Sequence, residues 1–455
     1  MKFEVDKQTL RDLDIFGKIG SKDSIFDLLN FTKCIGGRNK LYDYLRHPES
    51  DIKHLIERKE AIAFFQKYMP SGLDIDKNSL DYAEYYLRHS GFPTRRPSRF
   101  SSLERIIMTK ISHNAEYYLM EQGVTSIVNL LQTIYDMSAS ISGKLKENNA
   151  PKLLVRNNEE VLRLFAKPEF AKILQYKKLK AYDIILSDYI FRYTHKRDIL
   201  FFLELIYEYD VFQSVAKAAE KYQMSYPEIL PQADNCLEVE GLYHLFVENA
   251  VSNDIVFNKD SNLLFVSGPN MAGKSTFLKA LGVSVYLAHA GFPVPAKSMK
   301  ISVLSGLCTT INIADNLTSG YSHFYAEVMR IKHVAERLKD KQNMLVIFDE
   351  LFRGTNVKDA YDGTLAIVSA FSKIRNSFFI VSTHIVEVAK ELDTNKNINF
   401  SYFEIKEKDG HPAYTYKLRK GVSEDRLGMY IIRKEGLIDL INNINTKDKT
   451  NDETV

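Results

Sequence analysis

One stretch of nine residues constrains this chain more than anything else in it. Gly268, Pro269, Asn270, Met271, Ala272, Gly273, Lys274, Ser275 and Thr276 follow the apolar run Leu263–Ser267 and lead into a helical pattern from Thr276 to Leu287. That is the strand, loop and helix context in which G-x-x-x-x-G-K-[ST] becomes a phosphate-binding P-loop. The glycines let backbone N–H groups turn inward around an anion, and the helix N-terminus adds a favourable dipole. Lys274 is then expected to reach the β- and γ-phosphates of a nucleotide, and the Ser275 hydroxyl to ligate Mg²⁺.

Two further strand ends extend the expectation. The apolar run Met344–Phe348 closes with Asp349 and Glu350. An acidic pair at the end of a buried strand is costly unless a cation or water engages it. Asp349 would hold Mg²⁺ through water, and Glu350 would polarise an attacking water. A third run, Phe378–Ser382, delivers His384 to where it could sense the γ-phosphate. Between these lies Ser319-Gly320-Tyr321-Ser322, ahead of a helical pattern from Phe324 to Leu338. Small residues at a helix start form another anion-binding end. One such end is already used by the P-loop, so Ser322 is expected to serve a γ-phosphate on a partner subunit. Standing alone, the segment would read as an ordinary capped helix.

The rest of the chain divides by texture. Residues 1–90 carry helical stripes: a helix capped by Asp23-Ser24 and stopped near Gly36-Gly37, a second over Asn39–Arg46, a third over Asp51–Tyr68. Residues 91–100, with two prolines and three arginines, break the pattern and read as a solvated loop or as a phosphate-contacting one. Long helical periodicity returns over 101–230, with candidates at Ala181–Tyr193 and Arg197–Tyr222. From about residue 236, short apolar strands alternate with helices, the mark of an α/β domain. Ile301–Ile311, Phe400–Ile405 and Ala413–Leu418 complete the strand candidates, and the polar tail Asn442–Val455 reads as disordered.

Composition excludes more than it identifies. A net charge of +3 is too weak to signal nucleic-acid binding, so any such surface must be a local patch. Arg95, Arg96 and Arg99, with Lys177, Lys178 and Lys180, are the best candidates. Cys34, Cys236 and Cys308 lack metal-site spacing and read as reduced thiols, which fits a cytoplasmic setting. There is no apolar signal core and no stretch of membrane-spanning length, so no membrane partner is expected.

Taken together, these segments resemble the MutS family of DNA mismatch-repair ATPases. Gly268–Thr276 is similar to that family's P-loop, including Asn270 and Met271, which generic P-loops do not share. Residues 314–322 resemble its signature loop, Asp349-Glu-Leu-Phe-Arg-Gly-Thr-Asn356 its Walker B extension, and Ser382-Thr-His384 its switch histidine. His244 to Asp254 looks like the segment that flanks the adenine. Upstream, Thr9–Asp14, Ser24–Leu29, Gly36–Arg38 and Ile56-x-Arg58 follow the order of the family's core domain, and Tyr209–Ile229 looks like the end of its lever helices. Within the ATPase, Phe352 stands where the family has Gly, and Tyr321-Ser-His-Phe324 where Arg-Ser-Thr-Phe is usual.

The resemblance implies an α-helical core and lever region followed by an α/β P-loop (ABC-type) ATPase domain. The boundaries it suggests are a helical core at 1–90, lever-like helices with a reduced or absent clamp at 91–235, the ATPase domain at 236–425, and a short helical segment and tail at 426–455. It implies a short member without the N-terminal mismatch-recognition and connector domains. Its ligands would be ATP and Mg²⁺, with Glu350, Lys274 and His384 catalytic, Ser275 and Asp349 on the metal, and Ser322 and the 268–276 loop on the nucleotide. The expected partners are a second copy of the chain, DNA (mismatched, branched or duplex), and repair proteins. The expected function is ATP-driven closure coupled to mismatch repair or processing of branched DNA. The alternatives are a mechanical ATPase acting on RNA, ribosomes or a protein partner, and a small-molecule P-loop kinase, which no lid or substrate segment supports.

Overall fold

The apolar runs and helical stripes build two units in a computed structural model of the chain. One comprises Met1–Phe3, Asp14–Ile229 and Tyr286–Val294; the other comprises Glu4–Leu13, Leu230–Val285 and Pro295–Val455. The structure describes residues 2–17, 23–69, 76–88, 115–145, 150–176, 178–311, 323–340, 343–408, 411–422 and 435–441. Ser322 and the rest of 314–322, the arginine-rich segment 91–100, Lys177 and the tail 442–455 therefore lie outside the described residues.

The first unit is helical among the described residues. Its long central helix, Lys196–Lys221, buries Tyr209, Phe212 and Val215, and Tyr209 and Phe212 pack on Phe65 of the helix Ile52–Tyr68. The opening helix, Ile25–Leu29, starts where Ser24 accepts from Asp27 N, as a capping serine should. Gly36-Gly37 does not stop that helix, contrary to the sequence expectation. It ends at Asn30, and the two glycines lie in the first turn of the next helix, Ile35–Arg46.

Their role there is close approach. A Cβ on Gly36 would sit 2.3 Å from the Tyr207 ring, and one on Gly37 would sit 2.2 Å from Asp210 Oδ2. Nearness matters because the buried Asp210 carboxylate accepts from Lys33 N at 2.9 Å and Cys34 N at 3.1 Å, gathering backbone donors that precede the helix. Burial first, and then the Asp210 charge, push the Cys34 thiol up to about 12, so it stays protonated. The helix expected over Ala181–Tyr193 is α-helical to Tyr189 and continues as a wider π turn, Ile190–Thr194.

The second unit holds a seven-stranded sheet and a smaller one. In chain order the strands of the larger sheet are β1 (Glu4–Val5), β5 (Leu263–Ser267), β7 (Gly306–Thr310), β8 (Met344–Asp349), β9 (Phe378–Thr383), β10 (Ile398–Lys408) and β11 (His411–Lys420). Their spatial order is β1-β7-β8-β9-β5-β10-β11, parallel throughout except for the antiparallel β10–β11 hairpin. β5, β7, β8 and β9 are buried along their whole length, which is why they read as continuous apolar runs. The smaller sheet, in the order β2 (Glu228–Leu230), β6 (Ser298–Ser302), β3 (Leu237–Leu242) and β4 (Asn253–Phe257), pairs β3 antiparallel with both β4 and β6.

Two findings depart from the sequence reading here. The run Ile301–Ile311 is not one strand. It splits into β6 and β7, which belong to different sheets, with Val303–Ser305 as the crossing. The split is hidden because the crossing is itself largely buried: Leu304 is fully enclosed, and Ser305 N donates to Asn343 O. Second, Glu4–Leu13 belongs to the α/β unit. β1 extends the sheet edge, and Asp12 accepts from Thr309 Oγ1 at 2.7 Å and Ile311 N at 2.9 Å. Asp6 takes Arg330 Nη1 at 2.6 Å and Arg337 Nη1 at 3.4 Å. No helix among the described residues is long and apolar enough to cross a membrane.

Candidate nucleotide site

Parallel register brings the chemistry to one edge. Ser267 lies opposite Thr383, and Asp349 opposite Ser382, so the carboxyl ends of β5, β8 and β9 finish side by side. Loops leaving those ends must share the space beyond them, the usual ligand crevice of an open α/β sheet.

The loop after β5 turns on residues in unusual backbone conformations. Gly268 has φ +140 and Gly273 φ +101, and Met271 adopts φ +67 with its side chain largely exposed. These turns lead straight into the helix Lys274–His289. Lys274 folds back under the loop, and its Nζ donates to Gly268 O at 2.7 Å and Pro269 O at 3.1 Å. It also lies 3.4 Å from Glu350 Oε1. Burial lowers the Lys274 pKa, opposed by the charges of Glu350 and Asp349. A buried ammonium resting on carbonyls and one carboxylate is poorly compensated, and an incoming polyanion would relieve it. Asn270, Ser275 and Thr276 are exposed to the space above the loop, while Ala272 is packed beneath it.

Asp349 is buried and accepts from two hydroxyls, Ser275 Oγ on one oxygen and Ser382 Oγ on the other. Its neighbour Glu350 is held by Arg353, whose Nε lies 2.9 Å from Glu350 Oε2, while Arg353 Nη2 lies 3.8 Å from Asp349 Oδ2. His384 Nδ1 lies 3.8 Å from the same Glu350 oxygen, its ring half exposed. The structure thus gathers Lys274, Ser275, Asp349, Glu350 and His384 into one constellation. Ser322 lies outside the described residues.

A cavity of about 660 Å³ opens beside this constellation, bounded by the loop on one side and by His244, Val247 and Asn253 on another. The segment 244–254 therefore does line it. Phe403 and Tyr416, from the β10–β11 hairpin, close a third side and were not singled out from sequence. Tyr416 has φ +55, and its ring comes within 3.3 Å of where a Cβ on Gly273 would stand. Its backbone is fixed by Asn253, whose Nδ2 donates to Tyr416 O at 3.0 Å and whose Oδ1 accepts from Leu418 N at 2.7 Å. Arg353 and Ser382 were missed as individual residues, although both fall within motifs already recognised. The sequence signal for Tyr416 is only its place in an aromatic, alternating hairpin.

A buried carboxylate beside a serine hydroxyl is a hard-oxygen donor pair suited to Mg²⁺, which takes one or two protein oxygens and completes its shell with water and phosphate. A mostly parallel sheet, one of whose interior strands ends in a glycine-rich loop with a buried lysine and an acidic strand end alongside, defines an α/β domain. Comparison with known proteins then shows what the chain is similar to. Residues 264–450 match the model of MutS domain V. The chain is 26% identical to a DNA mismatch repair protein MutS of Petrotoga mobilis, an alignment spanning 95% of this chain and 63% of the relative. It is 28% identical to the namesake protein of Halalkalibacterium halodurans over 72% of this chain and 36% of that one. With that of Streptococcus uberis it shares 31% identity over 50% of this chain and 27% of the relative. These matches are consistent with a member of the MutS family, and the chain spans between about a quarter and two thirds of the length of these relatives.

Proposed function

We propose that this chain is a P-loop ATPase that binds Mg·ATP in the cavity beside residues 268–276 and hydrolyses it to ADP and phosphate. The observation that carries the reading is the convergence of Lys274, Ser275, Asp349, Glu350 and His384 at the carboxyl edge of one sheet, next to a cavity of about 660 Å³. The 268–276 backbone cradles the phosphates, and Lys274 moves its charge from the loop carbonyls and Glu350 onto the β- and γ-oxygens. That transfer frees a Glu350 oxygen to orient the attacking water. Ser275 and Asp349 hold Mg²⁺, which when bound neutralises charge on the phosphate oxygens. His384 reads whether the γ-phosphate is present, and the 244–254 segment with Tyr416 and Phe403 encloses the base.

ATP acts here as a coupling ligand, binding a closed homodimer better than an open one, with Ser322 reaching the partner's γ-phosphate. The work performed is on DNA, in mismatch repair or on branched DNA, alongside repair-protein partners. All three cysteines are free thiols, in keeping with a cytoplasmic setting. The test is a gel-shift comparison of homoduplex, mismatched, four-way-junction and single-stranded DNA against structured RNA, with and without ATP. DNA binding by a local basic patch predicts that log affinity falls with log salt by about 0.9 per phosphate contact. Reversing Arg95, Arg96 and Arg99 to Glu should flatten that slope. Binding to RNA alone, or to no nucleic acid at low salt, would replace the DNA reading with a mechanical ATPase acting on RNA or on a protein partner.

A further inference from the structure

The loop that carries Glu350 is built against its own backbone preferences. Glu350 has φ +56 and Phe352 φ +62, so two residues with side chains occupy the left-handed region within three positions. A bulky residue rarely adopts that conformation, and it persists only where the surroundings over-determine it. Phe352 is nonetheless buried, with its ring centroid 5.6 Å from that of Phe324. The ring also rests over Gly363 of the helix Val357–Phe371, where an added Cβ would lie only 2.8 Å from Phe352 Cε2. The ring therefore has a seat: Phe324 on one side and a position without a side chain on another.

A second tie runs to the same helix as the first. Arg353 N donates to Glu327 Oε1 at 3.2 Å, and Glu327 is buried. Phe324 and Glu327 are three residues apart in the helix His323–Asp340, hence on one face of it. Two consecutive loop residues, Phe352 and Arg353, thus grip that face, and Arg353 in turn holds the Glu350 carboxylate at 2.9 Å.

We infer that Phe352 is a positioning residue for Glu350. Seated between Phe324 and Gly363, its ring holds the 350–353 loop in the left-handed path that aims Glu350 at Lys274, and makes the aim of Glu350 depend on the setting of the helix His323–Asp340. The inference rests on the proposed role of Glu350 in ATP hydrolysis. It adds that hydrolysis is controlled by a hydrophobic contact that touches neither nucleotide nor metal.

The experiment measures ATP affinity and steady-state turnover of full-length Phe352→Ala, Phe352→Leu and Phe324→Ala, with Glu350→Gln alongside. Affinity should stay within about twofold of wild type, because Lys274 and Ser275 are untouched. The kcat of Phe352→Ala should fall by about tenfold or more, since a small misplacement of a reacting group can cost about a hundredfold. Phe352→Leu, which still fills the seat, should recover to within about threefold, and a Phe324→Ala/Phe352→Ala double variant should be no worse than the poorer single one. If the variants lose only thermal stability, with kcat per folded molecule unchanged while Glu350→Gln is inactive, this inference fails and the site reading stands. If Glu350→Gln turns over like wild type, the reading of the site fails and the inference with it. Because Phe324→Ala leaves residues 350–353 unchanged in sequence, it decides the question should Phe352→Ala not fold.

Discussion

Replacing Lys274 with Met separates what this lysine does for the fold from what it does for a ligand. In the structure its ammonium is buried and touches two loop carbonyls and, at 3.4 Å, Glu350. Burial lowers its pKa, so the charge is held at a cost. Glu350 keeps the closer Arg353 at 2.9 Å when Lys274 is removed. Loss of one poorly compensated buried charge, with its partner still paired, should change stability without nucleotide by no more than about 1 kcal/mol either way. Against this, ATP at a hundred times its Kd should stabilise the wild type by about 2.7 kcal/mol. At about 2–4 °C per kcal/mol for a unit of this size, that is a rise of roughly 5–10 °C in Tm. Thermal unfolding with and without Mg·ATP should show that rise in the wild type and none in Lys274→Met. A variant that unfolds several degrees earlier without nucleotide would show that Lys274 is a structural ion-pair member. A variant that keeps the full nucleotide shift would show that the loop does not bind phosphate through it.

Other consequences follow from the same geometry. Burial disfavours the Asp6 carboxylate, but Arg330 more than offsets this and holds its pKa below 3.8. Its contribution to stability is therefore present above that value and lost as pH falls through the lower folded pKa. Urea unfolding should give an Asp6→Asn deficit of about 1.5–3 kcal/mol at neutral pH that closes in the acid window below 3.8. Gly37→Ala should push the Asp210 carboxylate off the Lys33 and Cys34 N–H groups, costing on the order of 3 kcal/mol by the same assay. Ser322→Ala should lower turnover while leaving ATP binding intact, and mixing it with Lys274→Ala subunits should restore part of the activity through one intact composite site. Absence of recovery on mixing would count against a site shared between subunits.

The legible part of this molecule is the part where one side chain or one run carries the meaning. Leu263–Ser267, Met344–Asp349 and Phe378–Thr383 are apolar because both faces are covered, so strands and burial could be read together. The motifs at their ends fell into one constellation because parallel strands in register must finish at one edge. What was illegible depends on distant partners. Gly36-Gly37 looked like punctuation, but the pair is required by Tyr207 and Asp210, more than 170 residues away. The Ile301–Ile311 run concealed a change of sheet, since hydrophobicity does not say which sheet receives a strand. Glu4–Leu13 looked like the start of a helical region, yet its Asp6 and Asp12 also reach partners beyond residue 300. Tyr416 enters the cavity through a left-handed backbone that no local pattern announces. Phe352 was visible only as a departure from the family's Gly, and its packing against Phe324 and Gly363 gives that departure a physical reason.

The central claim is that Glu350 orients water at a site where Lys274 and Ser275 bind Mg·ATP. Its most direct test is Glu350→Gln, compared with wild type for ATP binding by thermal shift and for hydrolysis in a single turnover. The amide keeps the size of the side chain and can still accept from Arg353, so binding and the nucleotide-induced rise in Tm should persist. Hydrolysis should fall by about a hundredfold or more, in keeping with loss of general-base assistance, and the variant should accumulate with ATP bound, as a dimer on size exclusion. Hydrolysis within about threefold of wild type would contradict the account, because water would then be activated elsewhere.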